Sequence, residues 1–509
     1  MTTQKTFYIT TPIYYPSGQL HIGHVYSTTI AWSLRNYKKL QGYKTKFLTG
    51  ADEHGQKIAN KAKQLNLQPQ HYVNQMSKQF EDLWTIYEID YDYFSRTSNS
   101  AHIQTVSRIF TKLLQTQNIY LDYYEGFYSV ADEEFFTKTQ AKLHEGQYYH
   151  PTSNHPLSHV KEVSYFLNIK KYEQWLSDYW QSHPNFIMPV KVVNELRNNF
   201  LNHGLEDLSI TRTTFDWGVK VAENPSHVVY VWLDALTNYL SALGYDTKHD
   251  DDYQTYWKNG IEIVHVVGKE ISRFHGIYWP IMLNALNLRQ PNSILAHGWI
   301  ITPEGKMSKS KGNVVNPYDL LKTFEVETIK YYLASQIHLG HDGIFSLDLV
   351  KSVHNADLAN NFGNLLSRTT TLVAKHFPDG LKKISSYNKT INKQITDSFA
   401  QYIFHLDNYE ISEGLKIAIH LSKIFNNYIE QTTPWNLTND LETLNDVLIN
   451  LCNGIYAIAS MLQIVMPKKM TLVQNYLGLL SLSFTLINDF DKFIGIKIDK
   501  NKPLFDRLK

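Results

Sequence analysis

The chain has 509 residues, 43% of them hydrophobic and 19% charged, with a formal net charge of +1. That length exceeds one ordinary core, so two to four domains are expected in a globular protein. The near-neutral balance excludes a globally basic nucleic-acid binder, and any nucleic-acid footprint has to be a local patch.

A strand pattern, Thr6-Phe7-Tyr8-Ile9-Thr10, begins almost at once, with no basic and apolar leader before it. No apolar run reaches the length of a bilayer, so a cytoplasmic protein without membrane association is expected. A loop with Pro12, Pro16 and Gly18 leads to a helix from about Ile22 to Leu40. Lys46–Thr49 reads as a second strand, and an amphipathic helix starts near Gln56. This strand and helix alternation is that of βαβ units. Residues 116–225 differ: Tyr120, Tyr123, Tyr124, Phe127 and Tyr128 fall in short alternating runs, the pattern of a β-rich insertion. The α/β rhythm returns with a strand at Val228–Val231 and a helix at Leu233–Leu243. Glu262–Val267 and Ser293–His297 are continuous apolar strands of the buried parallel type. From Leu347 the pattern is helical, and Leu358, Phe362, Leu365, Leu366, Thr369 and Val373 share one face. The single cysteine, Cys452, sits in an apolar helical pattern and reads as a buried small hydrophobe. One cysteine excludes an intramolecular disulfide and any thiol zinc knuckle within one chain.

The expected fold is therefore α/β: a Rossmann-like parallel sheet split by an inserted β-rich domain, followed by an all-α helical bundle. The corresponding segments are residues 1–115 and 226–346 for the two halves of the sheet domain, 116–225 for the insertion and 347–509 for the bundle.

Two short segments carry chemistry. His21-Ile22-Gly23-His24 opens a helix after a strand and loop, where orphan N–H groups and the helix dipole favour phosphate. His21 and His24 are three apart and face one ligand. Gly23, lacking Cβ, admits a flat base to the backbone. Lys306-Met307-Ser308-Lys309-Ser310, flanked by Gly305 and Gly312, reads as a loop whose ammonium groups suit a pentavalent phosphate and a leaving pyrophosphate. Alone, the first is equally two surface or core histidines, and the second a solvated basic loop. Both together, each after a strand, point to nucleotidyl transfer.

In this order the two segments resemble the nucleotide-activation signatures of class I aminoacyl-tRNA synthetases. Pro12–Tyr15, Ala51–Gly55, Ile210–Arg212, Trp232–Ala235, Gly268–Ile271 and Ala296–Gly298 narrow the resemblance to the methionyl-tRNA synthetase family, over almost the whole chain. The resemblance implies a methionine–tRNA ligase that forms methionyl-adenylate from methionine and ATP and transfers it to the 3′-terminal adenosine of tRNA. It implies His21, His24, Lys306 and Lys309 as catalytic, with Gly23, Glu270, His297 and Lys309 on the ATP side. Ile13, Tyr15, Trp232, Ala235, Tyr239, Ile271 and His275 would line a methionine pocket whose rings suit a polarizable thioether. Asp52 would accept the substrate ammonium, with Arg212 holding Asp52 in place.

The family reads the CAU anticodon with residues matching Asn364, Arg368 and Trp435, and here Asn361, Asn364 and Arg368 read as a polar ridge. The implied partners are L-methionine, ATP with Mg2+, tRNA(Met) and the initiator tRNA. Many family members carry zinc on cysteine knuckles in the insertion. The matching stretch Tyr128-Ser129-Val130-Ala131 has no thiol, so no structural zinc is expected. The family's further C-terminal module is missing, which favours a monomer. A cysteinyl enzyme would need a Cys metal site. Leucyl, isoleucyl and valyl enzymes carry a large editing insertion, for which about 110 residues leave little room. A non-catalytic RNA-binding paralogue is disfavoured by the intact histidine and lysine segments.

Overall fold

The computed structural model describes residues 4–16, 18–130, 134–136, 138, 141–151, 153–307, 312–383 and 387–509. The chain forms two compact units, Met1–Leu20 with Lys44–His297, and His21–Tyr43 with Gly298–Lys509.

In the first unit, six strands among the described residues make a parallel sheet. They are β1 (Thr6–Tyr14), β2 (Lys44–Ala51), β3 (Tyr93–Arg96), β4 (Ile187–Met188), β5 (Glu262–Gly268) and β6 (Ser293–His297). Their order is β3-β2-β1-β5-β6-β4, and every pairing is parallel. From Ile263 onward β5 is buried, and β6 is buried throughout, which explains their unbroken apolar runs: helices cover both faces of such a sheet. The chain leaves β1 towards β2 and β3 on one side and returns through β5 and β6 on the other. The crevice beyond the carboxyl ends of β1 and β5 is thus a topological switch point, where open α/β sheets bind ligands. The register of β1 shifts between Thr10 and Ile13. Pro12 in this stretch has no N–H to give the ladder, and the resulting bulge re-aims the residues from Ile13 onward.

The strand expected over Val228–Val231 is shorter. Only Val228–Val229 pairs, antiparallel to Thr211–Arg212, and the helix Val231–Ser241 begins where the strand was expected to end. Asp234 in its first turn complements the helix N-terminus, and the apolar residues that follow are buried at helical spacing.

Residues 116–225 contain a ribbon of Ile119–Ser129 against Ser158–Leu167, extended by Glu134–Phe136 and Leu208–Ser209. They are less purely β than expected. Helices Glu173–Ser182 and Val190–Asn199 follow the ribbon, and β4 rejoins the parallel sheet beside β6. Val192 and Leu196, four apart and buried, were the helical signal, masked by the density of tyrosines upstream.

In the second unit the helix Ile22–Leu40 packs with Val326–Gln336 and Ile411–Thr432. Asn36 Nδ2 donates to Ile464 O at 3.0 Å, and the Tyr37 hydroxyl donates to Asp407 Oδ1 at 2.9 Å. A small sheet joins Ile300–Thr302 to Gly305–Lys306 and Gly343–Ile344. The helical run expected from Leu347 is present. Leu358, Phe362, Leu365, Leu366, Thr369 and Val373 are all buried, and Leu441–Leu462 is buried along almost its whole length. Cys452 lies within that helix, where burial pushes its thiol up to about 12. Among the described residues no helix is long and apolar enough to cross a membrane.

Candidate active site

His21 and His24 cap the helix Ile22–Leu40 with each other's help. His21 Nδ1 accepts from Gly23 N at 3.2 Å, and His24 Nδ1 accepts from His21 N at 3.1 Å. This is a capping box in which two imidazoles replace the usual hydroxyl and carboxylate. The rings lie 3.9 Å apart between centroids. Because both Nδ1 atoms accept, each neutral ring carries its hydrogen on Nε2, as a donor. Burial, and then the neighbouring His21, holds the His24 pKa well below the usual imidazole value. His24 therefore offers a neutral donor and not an added cation. A Cβ at Gly23 would sit 2.9 Å from the His21 ring, so Gly23 also makes room for the capping histidine.

Lys306 ends a hairpin, Ile300–Thr302 against Gly305–Lys306, with Gly305 at a φ of 104°. A side chain at 305 would be strained there. The Lys306 ammonium lies 3.7 Å from the centroid of the Trp299 ring, and Asn313 Nδ2 donates to Thr302 Oγ1 at 3.1 Å. The hairpin is thus more ordered than the loop expected from its glycines. Lys309 lies outside the described residues.

In the first unit the expected polar residues sit where the parallel strands end. Asp52 follows β2, is 7% exposed and donates its backbone N–H to Tyr14 O at 2.9 Å. Its neighbours are anchored. Glu53 receives Arg96 Nε at 2.7 Å and the hydroxyls of Ser77 and Ser98. His54 Nδ1 lies 2.6 Å from Asp234 Oδ2. This double anchorage fixes the backbone that aims Asp52. Glu270 is exposed on the turn after β5, and His297 is buried at the end of β6.

Of the residues expected to line the pocket, Ile13, Trp232 and Ala235 share one apolar cluster with Tyr128 and Tyr230. Trp232 stacks on Phe274 at 3.5 Å, nearly parallel. The Tyr239 hydroxyl lies 2.7 Å from His275 Nε2, and Ile271 O accepts from His275 Nδ1 at 3.1 Å. Burial holds His275 down at about 4. Tyr15 packs against the cluster of Ile58, Ala62, Tyr72 and Val73. Arg212 is buried between the Tyr128 and Tyr230 rings, with Nε 3.5 Å from Glu162 Oε1. It also donates to Ser209 Oγ at 2.8 Å and to Thr211 O. Glu162 is thus one carboxylate that Arg212 faces.

In the second unit Asn364 is exposed, and Arg368 reaches Glu430 at 2.6 Å and stacks over Trp435 at 5.1 Å. Trp435 is 41% exposed, on the turn Pro434–Asn436. Asn361 departs from the expected ridge. It is buried and receives Ser422 Oγ and Asn426 Nδ2, both at 2.8 Å. A buried amide satisfied by its neighbours is a packing element of the bundle.

Sequence reading missed the network around Asp234. His102 Nε2 lies 2.7 Å from Asp234 Oδ1, opposite His54 on Oδ2. Burial opposes ionisation of Asp234, but the two histidines outweigh it and hold the carboxyl at about 2. Its only signal was an acid inside the apolar segment Trp232–Ala235, an expensive residue to bury without partners. Among the described residues no group of three His, Cys, Asp or Glu side chains is placed to hold a metal ion.

A model of tRNA synthetases class I (M) matches residues 7–370. A methionine–tRNA ligase of Mycoplasmopsis pulmonis is 49% identical, over 99% of this chain and 100% of its own length. One of Bacillus subtilis is 44% identical, over 99% of this chain and 78% of its own length. A crystal structure of Mycobacterium tuberculosis methionyl-tRNA synthetase bound by methionyl-adenylate superposes with a TM-score of 0.94 at 31% identity, covering 99% of this chain and 100% of the other. With these matches to its whole length, this chain belongs to the methionine–tRNA ligase family of class I tRNA synthetases.

Proposed function

We propose that this chain activates methionine with ATP and charges tRNA with it, using the residues described above in defined roles. In the first step a methionine carboxylate oxygen attacks the α-phosphorus of ATP. The bond from that phosphorus to the bridging oxygen of the β,γ-diphosphate breaks, and magnesium pyrophosphate leaves. In the second step a hydroxyl of the terminal adenosine attacks the activated carbonyl and AMP leaves. No enzyme nucleophile is needed, so catalysis is positioning and electrostatic stabilisation.

The paired histidines are the observation that carries this reading. Two Nε2–H donors, pre-oriented by reciprocal capping at the start of a 19-residue helix, suit the charge that develops on phosphate oxygens. Lys306 and Lys309 supply the point charges for the phosphates, and Gly23 lets the base approach. Glu270 takes ribose hydroxyls and His297 lies on the ATP side. Asp52 pairs with the substrate ammonium, and Arg212 holds Asp52 in place. Ile13, Tyr15, Trp232, Ala235, Tyr239, Ile271 and His275 surround the thioether side chain. ATP acts as its magnesium complex, part of the substrate. Without a thiol in Tyr128–Val130, this stretch offers no cysteine donor set for a structural zinc. A monomeric working state, a cytoplasmic location and a division at residues 115, 225 and 346 complete the proposal.

Asn364, Arg368 and Trp435 read the anticodon. Trp435→Ala should raise the KM for tRNA by roughly 5- to 150-fold, the equivalent of about 1–3 kcal/mol of stacking, while ATP–pyrophosphate exchange stays unchanged. Equal loss in both assays would mean that Trp435 only packs helices. The reading as a whole is tested by charging tRNA transcripts with labelled methionine. A CAU-anticodon transcript should be charged and one with an altered anticodon refused; equal charging of both would remove the bundle from recognition.

A further inference from the structure

Three consecutive residues at the end of β3, Arg96-Thr97-Ser98, tie down the segment that carries Asp52. Arg96 Nε and the Ser98 hydroxyl donate to the Glu53 carboxylate. Thr97 makes two contacts of another kind. Its N–H donates to Ala51 O at 3.4 Å, and its Oγ1 accepts from Glu53 N at 2.9 Å. Asp52 N itself donates to Tyr14 O at 2.9 Å. Thr97 is wholly buried.

These bonds follow from how β2 and β3 end. In a parallel pair, a residue gives its N–H to one residue of the other strand and its C=O to the N–H two positions further on. Ala51 opposite Arg96 is the last pair in register. Thr97 begins the next step by donating to Ala51 O. A continuing ladder would then send Glu53 N to the Thr97 carbonyl. It goes to the Thr97 hydroxyl instead, so a side chain closes the ladder. Threonine suits this task, because its branched Cβ restricts χ1 and holds Oγ1 in one direction.

The consequence falls on Asp52. Its φ and ψ are the only soft torsions between the Ala51–Asp52 peptide plane and the Asp52–Glu53 plane. The first plane is held on both edges, by Tyr14 O and by Thr97 N, and the second is held by Thr97 Oγ1. With both planes fixed, the Cα–Cβ direction of Asp52 is fixed too. Further along, Trp217 Nε1 donates to Glu53 O at 2.6 Å, and Trp217 O accepts from Gly55 N at 3.2 Å.

We infer that Thr97 is a positioning residue for methionine activation: acting through Asp52, its hydroxyl aims the carboxylate at the amino group of the substrate. The inference rests on the reading of Asp52 as the partner of that group.

Thr97→Val keeps the shape and the N–H of residue 97 and removes the acceptor. It should raise the KM for methionine about tenfold, with kcat and the KM for ATP within about twofold of the parent, and Thr97→Ser should return the KM to within about threefold. Inhibition separates lost aim from general damage. L-methioninol, in which an alcohol replaces the carboxylate, keeps the ammonium, and the same alcohol without its amino group does not. Thr97→Val should weaken inhibition by the first about tenfold and by the second less than about twofold. Equal weakening of both, an unchanged KM in Thr97→Val, or an equal rise in Thr97→Ser overturns the inference. Should Thr97→Val not fold, amide exchange in the parent decides. The Glu53 amide should be protected about a hundredfold or more without methionine, and exchange at the rate of an open loop overturns the clamp. Asp52→Asn separates the two ideas. If it removes the preference for the amine-bearing inhibitor while Thr97→Val does not, only the role of Thr97 fails. If it leaves that preference intact, the reading of Asp52 fails and takes the inference with it.

Discussion

Asp52→Asn should lower kcat/KM for methionine in ATP–pyrophosphate exchange by roughly 150- to 5,000-fold, the equivalent of about 3–5 kcal/mol for leaving one partner of a buried charge pair alone. The carboxylate is 7% exposed at the end of β2, so little water is available to replace it around a substrate ammonium. The substitution keeps the shape and removes the charge. Its neighbours Glu53 and His54 remain tied to Arg96 and Asp234, so the backbone at 52 should not move. The melting temperature should therefore stay that of the parent, and the KM for ATP should change by less than about twofold. A kcat/KM within about threefold of the parent would remove Asp52 from substrate binding.

Asp234→Asn should have the largest effect on stability. The carboxylate is fully buried and takes one histidine on each oxygen. The amide can accept on one side only, and its NH2 faces the other ring, so a histidine must change tautomer or lose its partner. The first unit should lose about 3 kcal/mol or more at neutral pH. The pH dependence has a definite sign. The Asp234 carboxyl titrates at about 2 in the fold, against an ordinary value of 3.8. A carboxyl lowered in the folded state stabilises it above the ordinary value, and that stabilisation disappears as the pH falls through the folded value. The gap between parent and variant should therefore be full above about pH 4 and should close towards about pH 2. Equal melting temperatures at pH 7 would contradict the account of the network.

The limits of sequence legibility follow from the physics of each element. β5 and β6 were readable because strands covered on both faces are apolar without interruption, and the helix Ile22–Leu40 because its start is marked by a loop and its length by an amphipathic run. The strand at Val228 was overextended because β-branched residues hide a helix start that is set by Tyr230 and Asp234. The two-residue strand β4 is too short for any periodic signal. The histidine segment was legible as a helix start, but not as a capping box, because histidine is not a usual cap and only geometry reveals which ring nitrogen accepts. The pairs His54–Asp234 and Arg212–Glu162 join residues 180 and 50 positions apart, respectively, and single-sequence periodicity carries no information on such contacts. Asn361 shares its helical face with exposed Asn364, yet the helix Ile411–Thr432 covers one and not the other.

The most direct test of the central claim is amino-acid-dependent ATP–pyrophosphate exchange without tRNA, run with each of the twenty amino acids. Exchange with methionine alone is the predicted result, since it requires both the phosphate chemistry assigned to His21 and His24 and the pocket around Tyr239. Exchange driven by a different amino acid, or none from folded protein, would contradict it.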